Sequence, residues 1–417
     1  MSNVVIKNAG ELITCQGQAP KTGSKMNELG IITDGAVVIK DGLISQVGKT
    51  DEILEEINEE EFEVIDAAGK PVLPGFIDSH THFAFGGYRA DEYSWRLQGV
   101  PYTEIMERGG GIINSVAGTR NTSFDELKES ARKRLNSMLS FGVTTTEGKS
   151  GYGLELETEL KQLKVMKELQ EEHEIDISTT FMGAHAIPAE YEGRSGEFID
   201  YLIKEVMPVA VEEGGAEFCD VFCDQGVFTV DEARKILLQG QELGLKAKIH
   251  ADEIAQVGGA ELAAELGAVS ADHLLKASDE GIESMAEEDV IGTLLPITAF
   301  SLKEPYARGR YMIDNGLPVA LATDFNPGSC YSESIPLLIA LSTLQMELTL
   351  EEVITALTIN AAAAIDRDAE IGSIEVGKAG DLVILDAPSY THLAYHIGVN
   401  IVEKVIKNGE LVVEHNN

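Results

Sequence analysis

The chain is short of cysteine, of long apolar runs and of positive charge. Its 4 cysteines in 417 residues, Cys15, Cys219, Cys223 and Cys330, are too few for a disulfide framework. That places the expected location in a reducing cytoplasm. No apolar run reaches the ~18–20 residues a membrane helix needs. The opening stretch MSNVVIKNAGELITC has no basic segment followed by an apolar one, so no secretion signal is expected. Lysine and arginine total 32 against 70 aspartates and glutamates, a formal net charge of -38. Nucleic acids and anionic membranes both require basic patches, so neither is an expected partner. The same field repels a small anion, and any anion site must hold local positive groups. Acidic blocks such as DEILEEINEEEFE read as solvated surface.

What is present is a hydrophobic fraction of 44%, enough for a sizeable core. The first 70 residues are β-rich and punctuated by glycine, and the C-terminal stretches GSIEVGKAGDLVILD and NIVEKVIKNGELVVE repeat that texture. Neither end alone has strands enough to bury a face, so both are expected to build one composite β-sandwich domain, residues 1–72 plus 366–417. Between them, residues 73–365 carry eight short apolar or β-branched runs: GFIDSHTH, GVTTTEG, ISTTFMGA, FCDVFC, AKIHADE, VSADHL, VIGTLLP and VALATDF. Most precede a helical pattern such as SFDELKESARKRLNSMLS or TVDEARKILLQGQELG. Such alternation predicts an α/β fold, a (β/α)8 TIM-like barrel whose chemistry sits where strands end.

Histidine is also sparse, 9 in all, yet His80 and His82 stand one residue apart. Strand side chains alternate faces, so both rings point the same way. His250, His273 and Asp324 close other runs. Three neutral imidazoles and a carboxylate suit Zn, Fe or Mn. His273 is then placed to act as a base or an electrophilic partner. Cys219 and Cys223, in an apolar strand, read as core.

PGFIDSHTH, the later His, His and Asp at strand ends, and NAAAAIDRDAEIGSIEVGKAGDLVILD resemble the amidohydrolase superfamily of metal-dependent hydrolases over essentially the whole chain. Many of its members bridge two metals with a carboxylated lysine on the fourth strand. No lysine lies between Lys204 and Lys235, and Lys149 reads as lying beyond the second run. The resemblance therefore implies one divalent or trivalent metal ion per chain, Zn or Fe, on His80, His82, His250 and Asp324. The stretches FAFGGYRADEYSWRL, YTEIMERGGGI, TTTEGKSGYGLE, FMGAHAIP, IHADEI, LATDFNPGS and YHIGVNIVEKVIKNG resemble the cyclic-amide hydrolases of histidine breakdown. GSCYSESIP departs from their pattern.

That likeness implies hydrolysis of the ring amide of 4-imidazolone-5-propanoate to N-formimidoyl-L-glutamate, and a homodimer. It implies catalytic roles for Glu253, His273 and Asp324, with Glu253 also touching the substrate. Arg89 can fork onto a carboxylate tail. Tyr152 and His185 add donors, and Asn326, Gly328 and Ser329 follow the last strand with amide, backbone and hydroxyl groups. Two rival readings remain at this point: another mononuclear amidohydrolase, including a deaminase, acting on an acidic-tailed heterocycle, and a non-catalytic scaffold.

Overall fold

The computed structural model describes residues 3–100, 104 and 108–415. Residues 101–103 and 105–107, all but the first of them in the YTEIMERGGGI stretch, lie outside them. Five strands open the chain: β1 (Val4–Ile13), β2 (Ile31–Lys40), β3 (Leu43–Lys49), β4 (Glu63–Asp66) and β5 (Pro71–Pro74). Eight follow: β6 (Phe76–Asp78), β7 (Val143–Lys149), β8 (Asp176–Ala184), β9 (Phe218–Cys223), β10 (Lys246–Ala251), β11 (Ser270–His273), β12 (Ile291–Leu294) and β13 (Val319–Leu321). The last are β14 (Leu382–Leu385), β15 (Val402–Lys407) and β16 (Glu410–Glu414).

The two chain ends share one sheet in the order β16-β15-β14-β5-β1-β2-β3, with β4 also on β1. β1 is parallel to β4 over Val4–Lys7 and to β5 at Glu11 and Leu12. Gly10 sits where those two partners meet. A Cβ there would stand 2.1 Å from the Gly69 carbonyl oxygen, so only glycine lets the backbones approach. The sheet curls into a sandwich whose wings close on one core, including Val4, Leu12, Ile39, Val72, Ile384 and Ile406. Ile39 of β2 lies against Gly380 and Gly409, beside β14 and β15.

All eight sequence runs form parallel barrel strands, in the order β6 to β13. β6 stops at Asp78, so His80 and His82 lie just past it. They still share a face, because Thr81 makes a parallel bridge to Phe325. That bridge closes the barrel: Asp324 N donates to His80 O at 3.0 Å and His82 N to Phe325 O at 2.9 Å. Deeper, the buried Asp78 carboxylate accepts Thr323 N at 3.0 Å and Thr323 Oγ1 at 2.6 Å. The two quoted helical patterns form helices Phe124–Ser140 and Val230–Glu242, each opened by a capping box, Ser123 with Glu126 and Thr229 with Glu232. The first buries Leu127, Ala131, Leu135 and Met138, a stripe at helical spacing against the barrel. Among the described residues, no helix is long and apolar enough to cross a membrane.

Barrel and terminal sheet are tied by Lys407 of β15. Its ammonium lies 2.6 Å from Asp381 and 2.6 Å from Asp176 at the start of β8. Lys407 and Asp381 are both buried, whereas Asp176 is largely exposed. Removing one partner of a buried pair strands the other charge. Lys407→Met is therefore expected to lower unfolding stability by about 3–5 kcal/mol. Urea denaturation followed by tryptophan fluorescence and circular dichroism checks this, and an unchanged midpoint would show that the tie carries no load.

Candidate active site

Five of the nine histidines converge at the C-terminal end of the barrel. Ring centroids of His80 lie 5.4 Å from His82, 4.6 Å from His250 and 5.5 Å from His273. His185 stacks on His82 at 5.1 Å. Burial holds all five rings neutral: His80, His82 and His250 are driven well below the usual histidine range, and His185 and His273 to about 4.

Two carboxylates orient the rings. Asp272 Oδ2 lies 2.6 Å from His80 Nδ1, and Asp220 Oδ2 lies 3.0 Å from His250 Nδ1. A carboxylate only accepts, so each Nδ1 carries the hydrogen and each Nε2 keeps its lone pair. Those two Nε2 atoms are buried without a partner. Asp324 Oδ1 approaches to 3.6 Å from His80 Nε2 and 3.7 Å from His82 Nε2, while its Oδ2 accepts Thr298 Oγ1 at 2.7 Å. Lone pairs left bare in a buried cluster are what a cation would satisfy. His80, His82 and Asp324 form a group able to hold a metal ion, and His80, His250 and His273 form an overlapping one.

Lys149 is not beyond the second strand, as the sequence suggested, but is the last residue of β7, fully buried. Its ammonium donates to Asp220 at 2.7 Å, to Glu147 at 2.9 Å and to Asp272 at 3.4 Å. These carboxylates raise its pKa against the opposing pull of burial. Cys219 and Cys223 are core residues, as expected.

Every predicted site residue except His80 lines one cavity of about 420 Å³, and His80 lies directly behind it. Loop anchors place them. Glu159, buried in helix Leu156–Glu172, accepts N–H from Gly151, Gly153 and Leu154 and so holds the turn that carries Tyr152. Asp252 takes four backbone N–H groups from Val257 to Ala260, and Asp224 takes those of Ile254 and Ala255. Between these anchors Glu253 faces the cavity, its Oε1 3.7 Å from His273 Nδ1. Burial, together with Asp324, Asp224 and Glu304, pushes the Glu253 carboxyl up to about 8; burial pushes Asp324 up to about 7.

Arg89 reaches the cavity tethered: its Nε donates to Glu92 at 2.8 Å, and Glu92 also accepts Gly111 N and Asn114 Nδ2. A Cβ on residue 328 would stand 2.0 Å from Arg89 Nη1, which accounts for Gly328. Two polar groups read from sequence as ligand contacts also bond to nearby backbone groups while still lining the cavity. His185 Nδ1 donates to Gly151 O at 3.2 Å, so its free Nε2 is an acceptor, not a donor. The Asn326 side chain is spent within its own turn: Oδ1 accepts Gly328 N and Ser329 N, both at 2.8 Å, and Nδ2 donates to Asp324 O and Ser329 Oγ. The departing stretch GSCYSESIP completes that turn, with Cys330 Sγ on Thr323 O and Ser334 capping helix Ile335–Gln345.

Sequence reasoning missed Asp220, Asp272, Lys149, Thr298 and Arg96. Asp220 had a signal, a lone charge inside the apolar FCDVFC. Arg96 had another: it lies seven residues after Arg89, on the same side of helix Ala90–Leu97. Asp272 had none, because neighbours in a strand should face opposite ways. His273 has φ +73°, and that left-handed turn brings both side chains to the site.

The model of the Amidohydrolase family matches residues 63–108 and 103–413. An imidazolonepropionase of Clostridium tetani is 62% identical over 98% of both chains. Another, from Parabacteroides distasonis, is 54% identical over 98% of this chain and 99% of its own. Among solved structures, a triazine hydrolase from Arthobacter aurescens aligns with a TM-score of 0.73 at 16% identity, over 99% of this chain and 95% of that one. A zinc-bound adenosine deaminase from Xanthomonas campestris aligns with a TM-score of 0.68 at 18% identity, over 98% and 92%.

Thr298→Val keeps the volume but removes the hydroxyl that holds Asp324 Oδ2. Loss of such an outer partner typically costs 10–100-fold in cation affinity. Competition with a chromogenic chelator for Zn²⁺ is expected to show a fall of that order, with the circular dichroism spectrum unchanged.

Proposed function

The chain belongs to the amidohydrolase family and, within it, to the imidazolonepropionases, and we infer that its cavity hydrolyses the ring amide of 4-imidazolone-5-propanoate to N-formimidoyl-L-glutamate. The observation that carries the reading is a neutral, carboxylate-oriented histidine cluster facing a cavity that an arginine also lines. His80, His82 and His250 through Nε2, and Asp324 through Oδ1, would hold a single Zn or Fe ion. When bound, that ion supplies a Lewis acid that makes a water acidic near neutral pH.

The rest of the chemistry falls to side chains. Asp324 takes a proton from the attacking water. Water adds to the ring carbonyl carbon. His273, kept neutral by burial, donates a ring N–H to the carbonyl oxygen as negative charge develops there. The C–N bond then breaks, and Glu253, protonated at neutral pH, delivers its proton to the departing nitrogen. The new carboxylate and the formimidoyl group leave together on one product. Arg89, with Nε committed to Glu92, offers its Nη edge to the propionate tail. The Tyr152 hydroxyl donates to the substrate, and His185 Nε2 accepts a ring N–H. Asn326, Gly328 and Ser329 shape the turn behind Arg89 and Asp324.

The direct test follows loss of imidazolone absorbance on mixing purified protein with the substrate; no loss, with metal bound, would sink the assignment. Arg89→Ala is expected to lower kcat/KM about 30- to 5,000-fold, the cost of truncating one partner of a desolvated charge pair. An analogue with a neutral alkyl tail should be a poor substrate for both proteins alike. Equal damage on both substrates would instead place Arg89 in loop support through Glu92.

Glu253 acts as an acid and Asp324 as a base, so activity should fall as pH rises through about 8 and fall again at low pH, where Asp324 is protonated. Glu253→Gln is expected to keep the metal, lower kcat about 10²–10⁴-fold and abolish that alkaline limb. Retention of the limb in the variant would assign it to another group.

A further inference from the structure

A one-ion centre leaves a second group of ligand-type side chains beside it. Glu147, Asp220 and Asp272 are fully buried and converge on the barrel axis. They fall into two more groups of ligand-type atoms, His80, Glu147 and Asp272, and Asp220, His250 and Asp272, each with atoms within 4.8 Å of one another; with both histidines already committed to the first ion, the carboxylates are the donors left for a second. Carboxylate oxygens at that spacing are the donors a hard or borderline divalent ion takes. In this chain the middle of those oxygens belongs to the Lys149 ammonium, 2.7 Å from Asp220, 2.9 Å from Glu147 and 3.4 Å from Asp272.

We propose that Lys149 is a tethered cation standing where a second metal ion would otherwise bind, and that it keeps the centre mononuclear. The inference rests on the one-ion reading above and goes beyond it. Charge bookkeeping favours it: three carboxylates set against Lys149 and Lys248, whose ammonium lies 2.9 Å from Glu147 Oε2, leave one negative charge. Deleting Lys149 leaves two, which one divalent ion cancels. Space also fits. Metal–oxygen bonds run about 2.0–2.2 Å, so Asp220 and Glu147 need to close by less than about 1 Å around the vacated nitrogen position, and Asp272 by slightly more than about 1 Å. Lys149 is thus a positioning residue. Through Asp272 and Asp220 it fixes the rings of His80 and His250, and by occupying their shared pocket it excludes a second ion.

The test is metal stoichiometry. Wild type, Lys149→Ala, Lys149→Met and Lys149→Arg are produced with added Mn²⁺, desalted and analysed for metal per chain. Lys149→Met retains most of the aliphatic volume and guards against collapse of the Ala variant. We expect one equivalent in wild type and Lys149→Arg. The two neutral variants should hold two, with the spin-coupled electron paramagnetic resonance signal of a manganese pair. A merely structural lysine would not produce that signal. One equivalent in the neutral variants beside one in wild type overturns the role of Lys149 alone. An empty wild type overturns the metal centre itself, and two equivalents in wild type overturn exclusion by Lys149.

Discussion

The pairing of Lys149 with Asp220 and Asp272 is the interaction on which the active site depends. An unpaired charge inside a barrel costs several kcal/mol, so neither the ammonium nor the carboxylates could be buried alone. Paired, they form a rigid polar floor, and the Oδ2 of each aspartate accepts from both Lys149 and a histidine Nδ1. That one arrangement fixes the tautomers of His80 and His250 and sends both Nε2 lone pairs toward the cavity. A change at the floor would reach every ligand-type group above it.

The cavity above the floor solves a problem set by the whole chain. A net charge of -38 repels an anionic ligand, yet the site needs carboxyl groups for proton transfer. Burial meets both demands. It pushes Glu253 up to about 8, so that the proposed acid is protonated near neutrality, while Asp324 as the proposed base and ion ligand stays ionised. Arg89, held by Glu92, and Arg96 then supply positive charge to the cavity lining.

Much of this was legible from spacing. The eight strands were readable because parallel barrel strands are short, apolar and separated by helices, and because His80, His82, His250, His273 and Asp324 close them. Glu253 and Arg89 followed from family likeness. The floor was not legible. Lys149 looked misplaced because β7 runs one residue beyond the apolar pattern, and a lysine at a strand end usually reads as solvent-facing. Asp272 was hidden by the positive φ of His273, which breaks the alternation on which strand reasoning rests. The roles of His185 and Asn326 turned on which atoms neighbouring backbone groups had already taken, and no pattern of residue types carries that information.

The terminal sheet has a consequence for how the molecule is made. β5 ends at Pro74, and its partner β14 begins at Leu382, with the whole barrel between them. At a synthesis rate of about 5–20 residues per second, the ribosome needs roughly 15 to 60 s to deliver β14 after β5 has emerged. Throughout that interval β5 presents an unpaired edge, and Val4, Leu12 and Val72 lack the wing that covers them. The N-terminal strands must therefore wait, exposed, until the last tenth of the chain is synthesised. Nascent chains crowded on one messenger are where edge-to-edge mispairing would begin, and a chaperone that shields the first 74 residues would act at that moment.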